Sequence, residues 1–198
     1  MKFWKGLGTI IALVIVAVLW VAGQYNGLVW VDEDVNEAWS NVEGQYQRRA
    51  DLIPNLVQTV KAFANQELDV FTQVTEARAK ASSTEVNIDN PESIAAFQEA
   101  QWDVSSALSR LLVTVENYPE LKSDQNFLDL QEQLEGTENR IAVARWRYNE
   151  MVKIYQKKIR SFPANIAANI FGFGPRRWFE ADEWSEDAPE VDFDFERE

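Results

Sequence analysis

Polar and apolar positions divide this 198-residue chain into a few long segments. Residues 6–31 carry no charge, and their middle, IIALVIVAVLWVAG, is rich in Ile, Val and Leu. At about 1.5 Å per helical residue, roughly 20 such residues cross a hydrocarbon core about 30 Å thick. Trp4 stands at one end and Trp20, Tyr25 and Trp30 cluster at the other, as interfacial aromatics do. The pattern predicts a transmembrane helix. A cleaved signal peptide is the competing reading, opposed by the poor cleavage site around Ala22–Gly23 and by apolar residues that continue to Val31.

Beyond the acidic cluster Asp32–Asp34, whose carboxylates suit a helix start, apolar residues recur at spacings of three and four. They are Val35, Trp39, Val42, Tyr46, Ile53, Leu56, Val60 and Phe63, then Val70, Val74 and Ala77. This stripe predicts one long helix ending near Ser82–Ser83. Two residues disturb it. Arg49 occupies a stripe position, and Pro54 lacks a backbone donor and collides with the carbonyl four residues back. The outcomes are a kink, or a break with Asp51 capping a second helix; the stripe keeps its phase across Pro54, which favours the kink.

After the polar stretch Ser83–Asn90, the run Asn90-Pro91-Glu92 announces a second helix, with a capping residue, a proline at the first helical position and an acid in the first turn. Its stripe is Phe97, Val104, Leu108, Leu111, Val115 and Tyr118, and it stops at Pro119. A third helix starts at Ser123 or Asp124 and carries the cleanest heptad, from Phe127 through Leu134, Thr137, Ile141, Ala144 and Tyr148 to Tyr155, ending at Phe162-Pro163. Ala164–Phe171 is a short apolar turn or helix before Gly172 and Gly174. None of these segments can bury its stripe alone. They predict an all-α, antiparallel up-and-down helical bundle of three long helices plus a short C-terminal one, behind the membrane helix. The expected division is a basic head at 1–5, the span at 6–31, the bundle at 32–179 and an acidic tail at 180–198.

Composition narrows the function. Glycine and proline are scarce, at 8 and 6, which favours helix over sheet. Cysteine and histidine are absent, which removes thiol nucleophiles, histidine relays, Cys- or His-based zinc sites and the Glu-x-x-His pattern of di-iron bundles. The net charge is −13, and ten carboxylates against Arg197 give residues 180–198 a net −9 of it. Such a chain repels a phosphate backbone, so nucleic acid is not an expected partner. The tail's aromatics, Trp178, Phe179, Trp184, Phe193 and Phe195, argue that part of it docks, on the bundle or on a partner. Lysines precede the span and acids follow it, so the positive-inside rule places the N-terminus in the cytoplasm and the bundle outside.

AWSNVEGQYQRRADLIPNLVQTVKAFA, residues 38–64, resembles a signature of the LemA family. So does LEGTENRIAVARWRYNEMVKIYQKKIRSFP, residues 134–163, with the FGF element and the AP-x-V-x-F end that follow. The resemblance covers the chain after its first few residues, and implies a bacterial single-pass membrane protein with a helical bundle. It implies no activity, although some members are implicated in building intracellular membrane organelles. Departures are Ala62-Phe63, where Gly-Tyr is frequent, and an unusually acidic tail.

The candidate chemistry is a polar layer. Arg49 lies in the seam of the first helix and Glu138 beside the seam position Thr137 of the third. A buried Arg–carboxylate pair is expected, with Asp51 or Asn139 available to complete it and Arg140 close by. Ion-pair networks of this kind fix register more often than they catalyse. Nothing else resembles a catalytic, cofactor or metal constellation: no Gly-rich phosphate loop, no nucleophile elbow and no calcium loop. The expected function is a non-catalytic, membrane-anchored scaffold or interaction module of the bacterial cell envelope, in the inner membrane. Its partners would be the lipid bilayer and proteins or a second copy. The alternatives are an accessory factor or enzyme in envelope processing, or a membrane-remodelling protein.

Overall fold

The computed structural model describes residues 2–64 and 66–180, without the side chains of residues 2–6 and 9. The acidic tail beyond Glu180 lies outside the described residues, with its Trp184, Phe193 and Phe195. The described residues form α1 (Lys2–Phe63), α2 (Leu68–Ser83), α3 (Pro91–Val115), the single turn α4 (Pro119–Lys122), α5 (Gln125–Arg160) and α6 (Ala164–Phe171).

Helix α1 runs without interruption for 62 residues. It contains the apolar stretch, which is long enough to cross a membrane and is exposed from Ile10 to Trp20. No new helix starts at Asp32–Asp34, because no glycine or proline stands there to end the one in progress; Asp32 instead pairs with a distant arginine. Pro54 lies inside α1 and does not break it. Its missing N–H would have served the Ala50 carbonyl, and Arg78 Nε, from α2, donates to that carbonyl at 2.7 Å. Ile53, Leu56 and Val60 stay buried in phase on either side of the proline.

The helix expected to reach Ser82–Ser83 turns instead after Ala64 and returns as α2. The bundle therefore has four packed helices, α1, α2, α3 and α5, alternating up and down. The turn is closed by Glu67 N–H on the Ala64 carbonyl at 3.3 Å. No glycine or proline occupies residues 62–69, and Val60, Ala64, Phe71 and Val74 are all buried at heptad-like spacing. The periodicity thus passes through the turn without a mark.

The caps appear where local chemistry places them. Asn90 Oδ1 accepts from Glu92 N–H at 3.0 Å, and Asp124 Oδ1 from Phe127 N–H at 3.0 Å. Register between α2 and α3 is antiparallel, pinned by Lys80–Asp103 at 2.7 Å and Arg110–Gln73 at 2.9 Å. Helices α1 and α5 are also antiparallel, with the Trp39 and Tyr148 rings 5.4 Å apart at mid-length.

Two apolar cores result. One joins Leu28–Tyr46 of α1 to Ile141–Ile159 of α5, to the alanines of α6 and to Phe179. The other joins Ile53–Ala64 to α2, α3, Phe127 and Leu134. Arg49 stands on α1 between them, and Thr137 and Glu138 on α5.

Candidate functional site

The polar junction is built around Arg49, whose side chain is 2% exposed. Nη1 donates to Glu138 Oε1 at 2.6 Å and to Ser105 Oγ at 2.9 Å. Nη2 donates to Gln101 Oε1 at 2.6 Å and to the Gln101 carbonyl at 3.1 Å. The guanidinium also sits 5.1 Å from the Tyr46 ring centroid, a cation–π distance. Three helices thus meet on one cation. Glu138 is 48% exposed, so this is a buried cation reaching a carboxylate at the bundle surface.

The remaining expected members of the layer lie elsewhere. Asp51 is exposed and accepts from Gln47 Nε2 at 2.8 Å, four residues back on its own helix. Asn139 points into a groove between α1 and α5. Arg140 lines that groove too, and its Nη2 donates to Thr137 Oγ1 at 3.2 Å. Gln101 and Ser105 of α3 take the places expected for Asp51 and Asn139. They sit one turn apart on α3, between Phe97 and Leu108, a polar pair in an apolar stripe that could have signalled them.

A second buried arginine is absent from the expected site. Arg176 is 8% exposed, 2.9 Å from Asp32 Oδ1 and 3.2 Å from Asp89 Oδ1, and lies over the Tyr155 ring. Burial works against its charge, but the two aspartates outweigh burial and hold its pKa above the usual value. It ties the start of the bundle to the α2–α3 loop and to the segment after α6.

That segment is a strap. Gly172, at φ 78°, ends α6 in the left-handed region. Residues 173–180 then run back along α5, outside any helix or strand, held through their backbone. Tyr155 Oη donates to the Gly174 carbonyl at 2.9 Å, Tyr148 Oη to that of Arg177 at 2.9 Å, and Gln156 Nε2 to that of Arg176. Asn149 accepts from Phe179 N–H at 2.8 Å and donates to the Phe179 carbonyl at 3.0 Å. Tyr148 and Tyr155, like Asn149 and Gln156, are two helical turns apart and so share a face. Phe179 is buried against Trp39, its ring stacked at 5.7 Å, whereas Trp178 is 48% exposed. Burial, reinforced by Asp89 against the opposing effect of Arg176, pushes the Tyr148 phenol up to about 12. Burial and Asp32 raise Tyr155 as well, against Arg176. Both phenols are therefore protonated donors at neutral pH, suited to holding carbonyls and not to transferring protons.

Two concavities adjoin these features. A cleft of about 140 Å³ lies beside Arg49, lined by Tyr46, Arg78, Thr84, Phe97 and Gln101. A groove of about 740 Å³ runs between α1 and α5, lined by Asp34, Glu37, Asn139, Arg140, Trp146 and Arg147. Among the described residues, no group of three or more Asp or Glu side chains is placed to hold a metal ion.

Comparison with known proteins places this architecture. Magnetosome protein MamQ 2 of Paramagnetospirillum magneticum is 28% identical over 203 residues, covering 88% of this chain and 74% of that protein. Magnetosome protein MamQ of Magnetospirillum gryphiswaldense is 28% identical over 177 residues, covering 79% of this chain and 64% of that one. Protein LemA of Metamycoplasma hominis is 23% identical over 146 residues, covering 74% and 64%. Residues 38–193, which hold the Arg49 junction and the strap, match the profile of the LemA family, and the chain belongs to that family.

Proposed function

We propose that this protein is a membrane-anchored, non-catalytic helical scaffold of the bacterial cell envelope, with residues 6–31 in the inner membrane, its N-terminus cytoplasmic and its bundle on the outer side. The observation that carries the reading is the continuity of α1, which passes from a bare apolar stretch into both cores with no hinge. A bundle joined in this way presents its side faces at a fixed height above the lipid. Those faces carry large apolar residues in solvent, Trp102 at 51%, Val143 at 45% and Trp146 at 62% exposure, as an interaction surface would. Both terminal nitrogens of Arg49 are spent on side chains of two other bundle helices, Gln101 and Ser105 of α3 and Glu138 of α5, which supports a structural role for that junction.

A photo-reactive residue at position 143, in intact membranes, should give reproducible adducts heavier than the monomer. Monomer alone would overturn the scaffold reading. Substitution at Arg49 and Glu138 addresses the enzymatic alternative: if Arg49→Met loses the fold and Glu138→Gln keeps both fold and phenotype, the junction is structural. Stable single variants that lose the phenotype would mark a site instead. Membrane shaping is a second reading, favoured by the relatives named as magnetosome proteins; it requires altered membrane morphology on overexpression.

A further inference from the structure

The outer face of α6 is apolar apart from Asn169, and uncovered. Its inner face, Ala164, Ala167 and Ala168, is buried against α1 and α5, whereas Ile166, Ile170 and Phe171 are 45%, 67% and 46% exposed. Phe162, just before the helix, is 80% exposed, and Trp30 on α1 is 73% exposed.

The level of this face along α1 is set by direct contacts. Phe171 and Phe173 pack edge-on against Tyr25 at 4.8 and 5.9 Å. The Lys158 ammonium, in the last turn of α5, lies 3.8 Å from where a Cβ on Gly27 would stand. These positions fall inside the uncharged stretch 6–31. At about 1.5 Å per residue that stretch is about 39 Å long, against about 30 Å for a hydrocarbon core. The excess of about 9 Å, roughly six residues, is the part that α6 packs around. Leu28 is fully buried there, whereas residues 10–20 are exposed throughout.

Cations stand beside this apolar face: the last turn of α5 contributes Lys157, Lys158 and Arg160. The arrangement is that of an interfacial amphipathic element: apolar side chains at the boundary between headgroups and acyl chains, with basic ones able to reach lipid phosphates.

We propose that α6, with Phe162 and the basic end of α5, forms a second membrane contact, a collar seated in the interface on anionic lipid headgroups where α1 leaves the bilayer. The occupant of the exposed face is the lipid surface, because the face continues the bare apolar surface of α1 and carries the complementary charge. This inference rests on the anchor reading of the proposed function. The collar fixes the bundle at its base, so that residues 25–31 are shared between membrane and protein.

The chain has no cysteine, so single-cysteine variants take one fluorophore each. The full-length protein carrying Ile170→Cys, Val113→Cys or Val14→Cys is reconstituted into phosphatidylcholine vesicles with or without phosphatidylglycerol. Quenching is then measured with acyl-brominated lipid and with aqueous iodide. The label at position 170 should be quenched by brominated lipid several-fold more than that at 113, and shielded from iodide, more strongly with phosphatidylglycerol present. Iodide quenching at 170 equal to that at 113, with 14 still quenched by lipid, overturns the collar and leaves the anchor standing. Shielding of 170 from both quenchers means that protein covers the face, and also overturns it. Absence of lipid quenching at 14 overturns the anchor reading itself. Equal results in the two lipid mixtures refute the role of anionic headgroups.

Discussion

Arg78 Nε donates at 2.7 Å to the carbonyl of Ala50, the residue four places before Pro54. A proline inside a helix leaves that carbonyl without its backbone donor, and the returning helix supplies the replacement. The bond explains how α1 crosses Pro54 without breaking, and ties α2 to α1 at the same point.

The first prediction follows from this pairing. Arg78→Ala orphans a partly buried carbonyl and should destabilise the protein by about 1–3 kcal/mol. Pro54→Ala restores a backbone donor for Ala50, so in its presence the Arg78→Ala penalty should shrink to well under half. Denaturant unfolding of the four proteins of this cycle in micelles checks it. Equal penalties in both backgrounds would refute the explanation.

The Arg49 junction is asymmetric, and its mutants should be too. Arg49 is 2% exposed and Glu138 48%. Replacing Arg49 by Met strands the Gln101 side-chain oxygen, leaves Ser105 only its bond to the Gln101 carbonyl and removes the group that joins three helices, for a loss of about 1.5–3 kcal/mol. Glu138→Gln leaves the guanidinium its bonds to Gln101 and Ser105 and removes a solvent-screened carboxylate, for about 1 kcal/mol. Equal losses in thermal or denaturant unfolding would place the energy in the ion pair and not in the three-helix network.

Alkaline stability depends on Tyr148. Its folded pKa, about 12, exceeds the unfolded value of about 10, so the fold favours the neutral phenol. The associated stability is fully present below pH about 10 and is lost as pH rises towards about 12, amounting to about 2–3 kcal/mol. Tyr148→Phe should lower stability at neutral pH by about 0.5–1.5 kcal/mol, through the lost bond to the Arg177 carbonyl, and should flatten the decline above pH about 10. Unfolding titrations of both proteins across that window test the sign. A steeper decline in the variant would contradict it.

The strap depends on Asn149, which donates to and accepts from the Phe179 backbone. Asn149→Asp keeps the acceptor but turns a second oxygen towards the Phe179 carbonyl. Local opening should become easier by about 1–3 kcal/mol, which is about 5- to 150-fold faster amide exchange at Phe179. Exchange measured residue by residue should show the effect there and leave α2 and α3 protected. Uniform deprotection would mean that the strap does not open separately from the bundle.

The sequence by itself determined what depends on residues three or four positions apart. The uncharged stretch 6–31, the caps at Asn90 and Asp124 and the phase of the stripe across Pro54 are local. So is the placing of Arg49 in one seam and of Glu138 beside another. Only the tertiary structure decided the turn after Ala64, because Phe71 and Val74 continue the same periodicity in either topology and no helix-breaking residue marks the change. It also decided that Gln101 and Ser105, and not Asp51 and Asn139, serve Arg49. That choice depends on which face α3 turns to α1, and an apolar stripe specifies a face more sharply than it specifies a neighbour. Arg176 meets Asp32 across 144 positions of sequence, and the strap is held through its carbonyls, which every sequence possesses. A backbone acceptor leaves no trace in composition, so which segment Tyr148 and Tyr155 would hold was settled only when α6 turned the chain back along α5.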